Sequence, residues 1–211
     1  VTPWARTIMG WAPKDLKYRF QWTFPIMVSR FAPHALYAGG NVLFRSTDQG
    51  QSWSVVSPDL TRDDKSRQEA SGGPLTKDNT SIETYDTIFA VAESPLDRRQ
   101  SWAGSDDGLI HLTRDEAQSW ADVTPKAMPE WATVDMIEPD PKRPGTAYVA
   151  ADRHRLDDLK PYAFRTDDFG QTWTSITDGI APDAYVHAVR ADPARAGLLY
   201  AATERGVYVS Y

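Results

Sequence analysis

The 211-residue sequence contains no cysteine, and this absence excludes several kinds of site. Disulfide bonds, thiol nucleophiles and cysteine-ligated zinc sites all require a thiol. Long hydrophobic runs are also missing, and none approaches the roughly 20 residues that a membrane-spanning helix needs. We therefore predict no membrane span. No signal peptide is recognisable, and because Val1 is not a natural start we expect a segment to precede it.

Positive charge is scarce, since 23 Lys and Arg stand against 29 Asp and Glu, for a net charge of −6. Binding to a phosphate backbone needs a surplus of Lys and Arg on one face, so we predict no nucleic-acid partner. The four histidines are scattered and show no H-x-x-x-H spacing. No P-loop, Gly-x-Ser-x-Gly or dinucleotide fingerprint is present. We predict neither a metal nor a cofactor.

One eight-residue pattern, Ser/Thr-x-Asp-x-Gly-x-x-Trp, occurs three times, at 46–53, 113–120 and 166–173. Each copy lies between two apolar runs, which is typical of a hairpin turn between strands. The Asp and Ser/Thr side chains suit bonds to the turn backbone, the Gly suits a positive φ, and the Trp buries a large apolar surface. Ala117 replaces Gly in the second copy and should make that turn strained or differently shaped. The structural residues are Ser46, Asp48, Gly50, Trp53, Thr113, Asp115, Trp120, Thr166, Asp168, Gly170 and Trp173.

This pattern resembles the Asp-box, or BNR repeat, of sialidase-type and sortilin-type β-propellers. The stretches 18–22, 72–74, 76–80 and 102–109 are similar to a bacterial family of secreted, glycosyl hydrolase-like propellers. The resemblance implies an all-β fold, a β-propeller with four-stranded antiparallel blades, of which about four are present. It also implies an extracytoplasmic location, either periplasmic or secreted.

The repeats divide the chain into six parts. Residues 1–24 form an irregular segment that ends in a half-buried strand over 17–24, where aromatic and polar residues alternate. Blades follow at 25–57, 87–124 and 125–177, with an inserted loop at 58–86. An incomplete fourth blade spans 178–211, where Ser210 aligns with the start of another motif. We therefore expect the chain to be part of a larger propeller.

In a four-stranded blade, the three motif turns lie on one face and the remaining loops lie on the other. Two of those loops are long, at 57–86 and 152–161, and loops held by a rigid scaffold often carry function. The weak catalytic candidates on that face are Asp106, Asp107, Asp157 and Asp158. The weak ligand-binding candidates are Tyr85, Glu130, Trp131, Arg153, His154 and Arg155. The alternative is that these Asp residues only shape turns and that His154 is a surface residue without an orienting partner.

Two classes of function are consistent with these residues. The first is a binding or scaffold module that recognises a protein or a glycan through the loop-rich face. The second is a glycoside hydrolase, xyloglucanase-like or sialidase-like, which would need facing carboxyl groups ~5–10 Å apart. The Arg triad and Tyr/Glu pair of sialidases have no match in this sequence. A third hypothesis is a structural half that is completed by further blades or by another subunit.

Overall fold

The computed structural model describes residues 2–6, 8–72, 75–78 and 84–211, and almost all of their regular structure is β. The helical elements in these ranges are short 3-10 turns at Pro13–Asp15, Lys65–Arg67 and His154–Leu156. None of them has the length or the apolar character to cross a membrane. The strands are β1 Ile26–Val28, β2 Leu36–Gly39, β3 Leu43–Ser46, β4 Ser54–Val55, β5 Ser71–Gly72, β6 Lys77–Asp78, β7 Ile88–Glu93, β8 Ser101–Ser105, β9 Ile110–Thr113, β10 Ala121–Asp122, β11 Thr133–Pro139, β12 Ala147–Arg153, β13 Asp158–Thr166, β14 Thr174–Ser175, β15 Val186–Ala191, β16 Leu199–Thr203 and β17 Gly206–Ser210.

The strands form successive antiparallel sheets in which each strand pairs with the next one along the chain. Three sheets have four strands, β1–β4, β7–β10 and β11–β14, and a fourth has three, β15–β17. Strands β5 and β6 form a separate two-stranded ribbon within the long inserted loop. The predicted all-β fold with four-stranded antiparallel units is confirmed.

Neighbouring sheets pack face to face in chain order. Leu43 and Ile88 belong to the core between the first two sheets, and Trp102 and Val134 belong to the core between the second and third. A further core joins the third sheet to the fourth. The sheets approach closely at Gly104, where a Cβ atom would lie 2.4 Å from Cγ1 of Val134. A side chain at this position would force the two sheets apart.

The predicted strand at 17–24 is wrong, because this segment forms turns and irregular backbone. Its backbone bonds go to a loop: the N–H of Arg19 donates to Oδ1 of Asn41, and the N–H of Asn41 donates to the carbonyl of Arg19. Tyr18, Phe20 and Phe24 pack on the first sheet as the alternation predicted, whereas Trp22, which the alternation placed with them, is 65% exposed. Arg19 was expected to face solvent, but it is 2% exposed.

The three motif turns share one hydrogen-bond network. In the first, the hydroxyl of Ser46 donates to Oδ1 of Asp48 at 2.8 Å and accepts the N–H of Gly50 at 2.8 Å. The Asp48 carboxylate accepts the backbone N–H and the hydroxyl of Ser52 at 2.8 and 2.6 Å. The second and third turns repeat these bonds with distances that agree within 0.1 Å. The Ser/Thr, Asp and Gly positions of the pattern therefore each have a folding role.

Ala117 does not change the shape of its turn, so of the two outcomes expected from sequence, strain or a different shape, the structure shows the first. It takes a φ of 67°, in the same left-handed region as Gly50 at 85° and Gly170 at 79°. Its N–H makes the same bond to the Thr113 hydroxyl, at 2.9 Å. A residue with a Cβ is strained in this region of φ. Alanine in place of glycine therefore strains the backbone at residue 117 and leaves the geometry of the turn unchanged.

We expect Ala117→Gly to raise the free energy of unfolding by about 1 kcal/mol, because glycine adopts this φ without steric cost. Gly50→Ala is the matched reverse change, and it should lower that free energy by about the same amount. A Cβ at Gly50 would lie 3.6 Å from its nearest neighbour, a ring carbon of Trp53, which is an ordinary van der Waals distance. A steric clash therefore does not contribute to the effect of Gly50→Ala. Urea unfolding of both variants measures the pair. Destabilisation by Ala117→Gly would contradict this account.

The motif tryptophans connect each sheet to the preceding one. Nε1 of Trp120 donates to the carbonyl of Val56 at 3.1 Å, and Nε1 of Trp173 donates to the carbonyl of Val123 at 2.7 Å. Trp53 belongs to the first sheet and packs instead beside the aromatic residues of the N-terminal segment. Its buried Nε1 has no hydrogen-bond partner among the described residues.

Both long loops contain more regular structure than the sequence indicated. The 152–161 loop is reduced to a single 3-10 turn, because β12 extends to Arg153 and β13 begins at Asp158. The 57–86 loop contains a 3-10 turn and the β5–β6 ribbon. Residues 73, 74 and 79–83 of this loop, which carry part of the resemblance noted above, lie outside the described residues.

Candidate functional site

The strand order places the sequence-predicted site residues at one edge of the sheets, which we call the loop face. The first strand of each sheet begins at this edge and the second strand ends there. In the second sheet, for example, the N–H of Asp106 donates to the carbonyl of Thr87 at 2.9 Å. The motif turns join the third and fourth strands at the opposite edge. The loop face carries Tyr85, Asp106, Asp107, Glu130, Trp131 and the segment 153–158.

Asp106 and Asp107 are buried and fully engaged within the protein. The Asp106 carboxylate accepts the N–H and the hydroxyl of Thr87 at 2.8 and 2.7 Å. Asp107 accepts the backbone N–H of Arg62 at 2.7 Å and a short hydrogen bond from the Ser105 hydroxyl. Their exposures are 1% and 0%, so neither carboxyl group can reach a polysaccharide in this conformation. These contacts give both residues a structural role.

Burial strongly affects the ionisation of the two carboxyl groups. It raises the pKa of Asp106 to about 6, against two stabilising bonds from Thr87. Burial likewise raises the pKa of Asp107 to about 8, and a hydrogen bond to Asp86 and the Asp106 charge act in the same direction. Burial therefore favours the protonated form of Asp107 in the folded protein.

Asp157 and Asp158 also have local roles. Asp157 ends the 3-10 turn with a φ of 58°, and its N–H donates to the carbonyl of His154. Asp158 accepts the Tyr162 hydroxyl at 2.7 Å and lies 3.3 Å from Nη1 of Arg153. Each of the four acids proposed from sequence as a catalytic candidate is thus placed in a turn or a buried network.

Two of the ligand-binding candidates, Tyr85 and Trp131, meet two arginines around one indole ring. The Tyr85 ring lies 5.5 Å from the Trp131 ring, and its hydroxyl donates to the Trp131 carbonyl at 3.2 Å. Burial raises the pKa of Tyr85 to about 12, so this phenol stays neutral. The guanidinium carbons of Arg67 and Arg62 lie 5.0 and 5.7 Å from the indole centroid.

Glu130 completes this group, with Oε1 at 3.9 Å from Nη1 of Arg62. We call Arg62, Arg67, Tyr85, Glu130 and Trp131 the tryptophan platform. Sequence reasoning placed Arg62 only in a polar charge run and did not single out Arg67. Their packing on Trp131 depends on the inserted loop folding back over the second sheet, since the N–H and Nε of Arg62 both bond to Asp107.

A second group of polar side chains lies at the loop face of the third and fourth sheets. Asp152 is central to it: Nδ1 of His154 lies 2.7 Å from Oδ1, and Nδ1 of His187 lies 3.5 Å from Oδ2. Asp135 contributes a second carboxylate, and its ligand atom and those of Asp152 and His187 lie within 4.8 Å of one another. We call Asp135, Asp152, His154 and His187 the carboxylate–histidine cluster.

His154 was expected to lack an orienting partner, and this expectation is wrong. Besides its contact with Asp152, its ring stacks on Tyr185, with centroids 4.9 Å apart and planes 16° apart. Arg153, another ligand-binding candidate, pairs with Asp158 and takes no part in the cluster. Arg155 interacts electrostatically with both Asp106 and Asp135, so its charge lies between the two groups of acids.

Sequence reasoning missed Asp135, Asp152 and His187, although a signal for two of them was present. Asp135 and His187 each interrupt an apolar strand, and each occupies a β-bulge where the pairing register shifts. Phe89 occupies the same bulge position in the second sheet. Bulges re-aim a side chain and are common beside functional sites. A polar residue flanked by two apolar ones near the start of a sheet's first strand was the available clue.

Comparisons with known proteins complete this description. No protein-family profile matches the chain, and no curated protein matches it. An ancestral GH74 enzyme superposes with a TM-score of 0.64 at 19% identity, covering 98% of this chain and 24% of that one. YCF48 from Cyanidioschyzon merolae superposes with a TM-score of 0.53 at 13% identity, covering 88% and 50%. The chain has a β-propeller fold.

A GH74 enzyme from Niastella koreensis is also similar, with a TM-score of 0.59 at 12% identity over 92% of this chain and 28% of that one. The chain thus spans about a quarter of the length of these GH74 enzymes. At such identities the likeness extends to the fold alone, because one fold hosts many unrelated functions.

Proposed function

We propose that the chain is a binding module that holds a partner through its loop face, with the tryptophan platform as the contact. The observation that carries this proposal is the indole of Trp131, which is half-buried, braced by Tyr85 and flanked by two guanidinium groups. Tryptophan, tyrosine and arginine are the residue types that dominate binding energy at interfaces. The engagement of the sequence-proposed acids in structural bonds also favours binding over hydrolysis.

The chemistry of the platform favours an acidic protein segment over a glycan. Arg62 and Arg67 present guanidinium groups that pair with carboxylates in a bidentate manner. They also lie over the indole that a sugar ring would need for stacking. An acidic side chain from a partner would replace the weak 3.9 Å contact between Arg62 and the exposed Glu130.

Two finer assignments belong to this proposal. We further propose that the chain is an Asp-box propeller related to sortilin-like and glycosyl hydrolase-like proteins, an assignment that the three motif turns support. The resemblance to secreted bacterial propellers supports a location outside the cytoplasm. Further blades, or another subunit, would complete the ring around the arc of sheets described here.

We expect Trp131→Ala to weaken binding of a glutamate-rich peptide by about 10- to 100-fold, as loss of a central aromatic contact does. Arg67→Ala should weaken it less and should reduce its dependence on salt, because one ionic contact is removed. Trp22→Ala is the matched control, since Trp22 is 65% exposed and outside the platform. Isothermal titration against glutamate-rich and lysine-rich peptides and soluble polysaccharides measures these effects.

Several outcomes would count against the proposal. Equal losses in Trp131→Ala and Trp22→Ala would show that the platform is not the contact. Binding of a polysaccharide that depends on Trp131 would identify a glycan as the partner instead of a protein. Hydrolysis of any polysaccharide by the full-length protein would favour the alternative function, that of a glycoside hydrolase.

A further inference from the structure

The structure assigns a binding site for a divalent transition-metal ion, of the class represented by Zn²⁺, to Asp135, Asp152 and His187. The site lies at the loop face between the third and fourth sheets, apart from the tryptophan platform. It therefore goes beyond the proposed binding function and does not depend on it. The sequence predicted no metal, because its histidines show no ligand spacing; the fold brings the ligands together from three different strands.

The geometry of the three donors suits such an ion. One oxygen from each carboxylate and one nitrogen of His187 lie within 4.8 Å of one another. Around a tetrahedral zinc ion with bonds of 2.0–2.2 Å, ligand atoms lie about 3.4 Å apart. Small rotations of the side chains would close this difference. The exposed edge of His187, whose side chain is 46% exposed, provides a path from solvent.

An independent observation points to a missing partner at the same place. Oδ2 of Asp135 is buried and has no hydrogen-bond partner among the described residues. Buried polar atoms are nearly always satisfied, so an unpartnered carboxylate oxygen needs a proton, a water molecule or an ion. Asp152 is 2% exposed and lies beside Asp135, and two carboxylates this close together repel each other unless a proton or a cation lies between them.

The donor set selects the class of ion. Imidazole nitrogen combined with carboxylate oxygen suits zinc and its first-row neighbours, whereas Ca²⁺ and Mg²⁺ prefer oxygen ligands alone. His154 would act as an outer partner, because its Nδ1 lies 2.7 Å from Oδ1 of Asp152 and its ring is stacked on Tyr185. Such outer partners orient the ligands that touch the metal. Three protein ligands leave a fourth position for water.

The test is a zinc titration of protein first treated with a chelator, followed by calorimetry. We expect one equivalent of Zn²⁺ to bind, and excess Ca²⁺ not to displace it. His187→Ala and Asp135→Asn should each weaken the affinity by more than 100-fold. His154→Ala should weaken it by about 10- to 100-fold, as loss of an outer partner does. His34→Ala is the control, because His34 contacts the Ser29 carbonyl in the first sheet.

Visible absorption of bound Co²⁺ is a second readout, and it can be measured even if a variant is too unstable for calorimetry. Co²⁺ should give a visible absorption band in the wild-type protein and in His34→Ala, and none in His187→Ala. Failure of the wild type to bind either ion would show that the two carboxylates share only a proton. Equal affinities in His187→Ala and His34→Ala would also overturn the site.

Discussion

Arg19→Ala is expected to lower the free energy of unfolding by about 2–4 kcal/mol, because it empties a buried position and removes hydrogen bonds to four different partners. The guanidinium of Arg19 is 2% exposed and lies 2.9 Å from the carboxylates of both Asp59 and Asp63. It also donates to the hydroxyl of Thr61 at 3.0 Å and to the carbonyl of Asp86 at 3.1 Å. One side chain therefore fastens the inserted loop to the N-terminal segment.

Arg99→Ala is the matched control for this prediction. Arg99 also pairs with an aspartate, Asp97, at 3.0 Å, but its side chain is 64% exposed. Exposed pairs contribute about 0–1 kcal/mol, so urea unfolding should separate the two variants clearly. Similar losses in both variants would contradict the role given to Arg19.

Arg19→Ala should also weaken binding at the tryptophan platform, since Arg62 and Arg67 belong to the loop that Arg19 holds in place.

Asp107→Asn is expected to flatten the fall in the free energy of unfolding between pH 5 and pH 8. The pKa of Asp107 is raised to about 8 in the folded state, mainly by burial, and an unfolded aspartate titrates near 3.9. A raised carboxyl pKa favours the folded state below the unfolded pKa, and this contribution is lost as pH rises through about 8. Asparagine is neutral throughout and resembles the protonated acid in shape.

The expected size of this effect is about 2–4 kcal/mol between the two pH values, since each pKa unit corresponds to about 1.4 kcal/mol. Asp86, Asp106 and Arg62 face Asp107. Burial also raises the pKa of Asp106 to about 6 and that of Asp135 to about 9, so these two carboxyl groups leave a residual slope in the variant. Asp115→Asn is the control. Hydrogen bonds from Ser119 hold the pKa of Asp115 at about 2, so its charge is constant over this range. An unchanged slope in Asp107→Asn would exclude this mechanism.

The parts of the fold that sequence predicted well are those decided by local chemistry. Each motif turn is closed by residues within eight positions of one another, so Asp48 and Ser52 could be assigned roles directly from their spacing. The strands flanking the turns follow from apolar runs between turn residues. The strand prediction for 17–24 was wrong because the backbone groups of Arg19 form their hydrogen bonds with Asn41, which lies in a different part of the chain.

The candidate site was harder to predict, because contacts between distant residues decide it. Asp106 and Asp107 lie in the turn predicted for them, yet their burial comes from Thr87 and from the inserted loop through Arg62. The tryptophan platform could be expected in part, from Tyr85, Glu130 and Trp131. The carboxylate–histidine cluster could not be predicted, because it joins strands of two sheets and no local sequence pattern shows how those sheets pack.

The bulges at Phe89, Asp135 and His187 have one further consequence. Each inserts a residue that opposes no partner on the neighbouring strand. Selection can alter such a residue without disturbing strand pairing, which leaves the equivalent position in the second, third and fourth sheets open to evolutionary diversification. In relatives of this chain, we expect these three positions to differ far more than the buried residues on either side, so that chemistry evolves blade by blade while the scaffold stays constant.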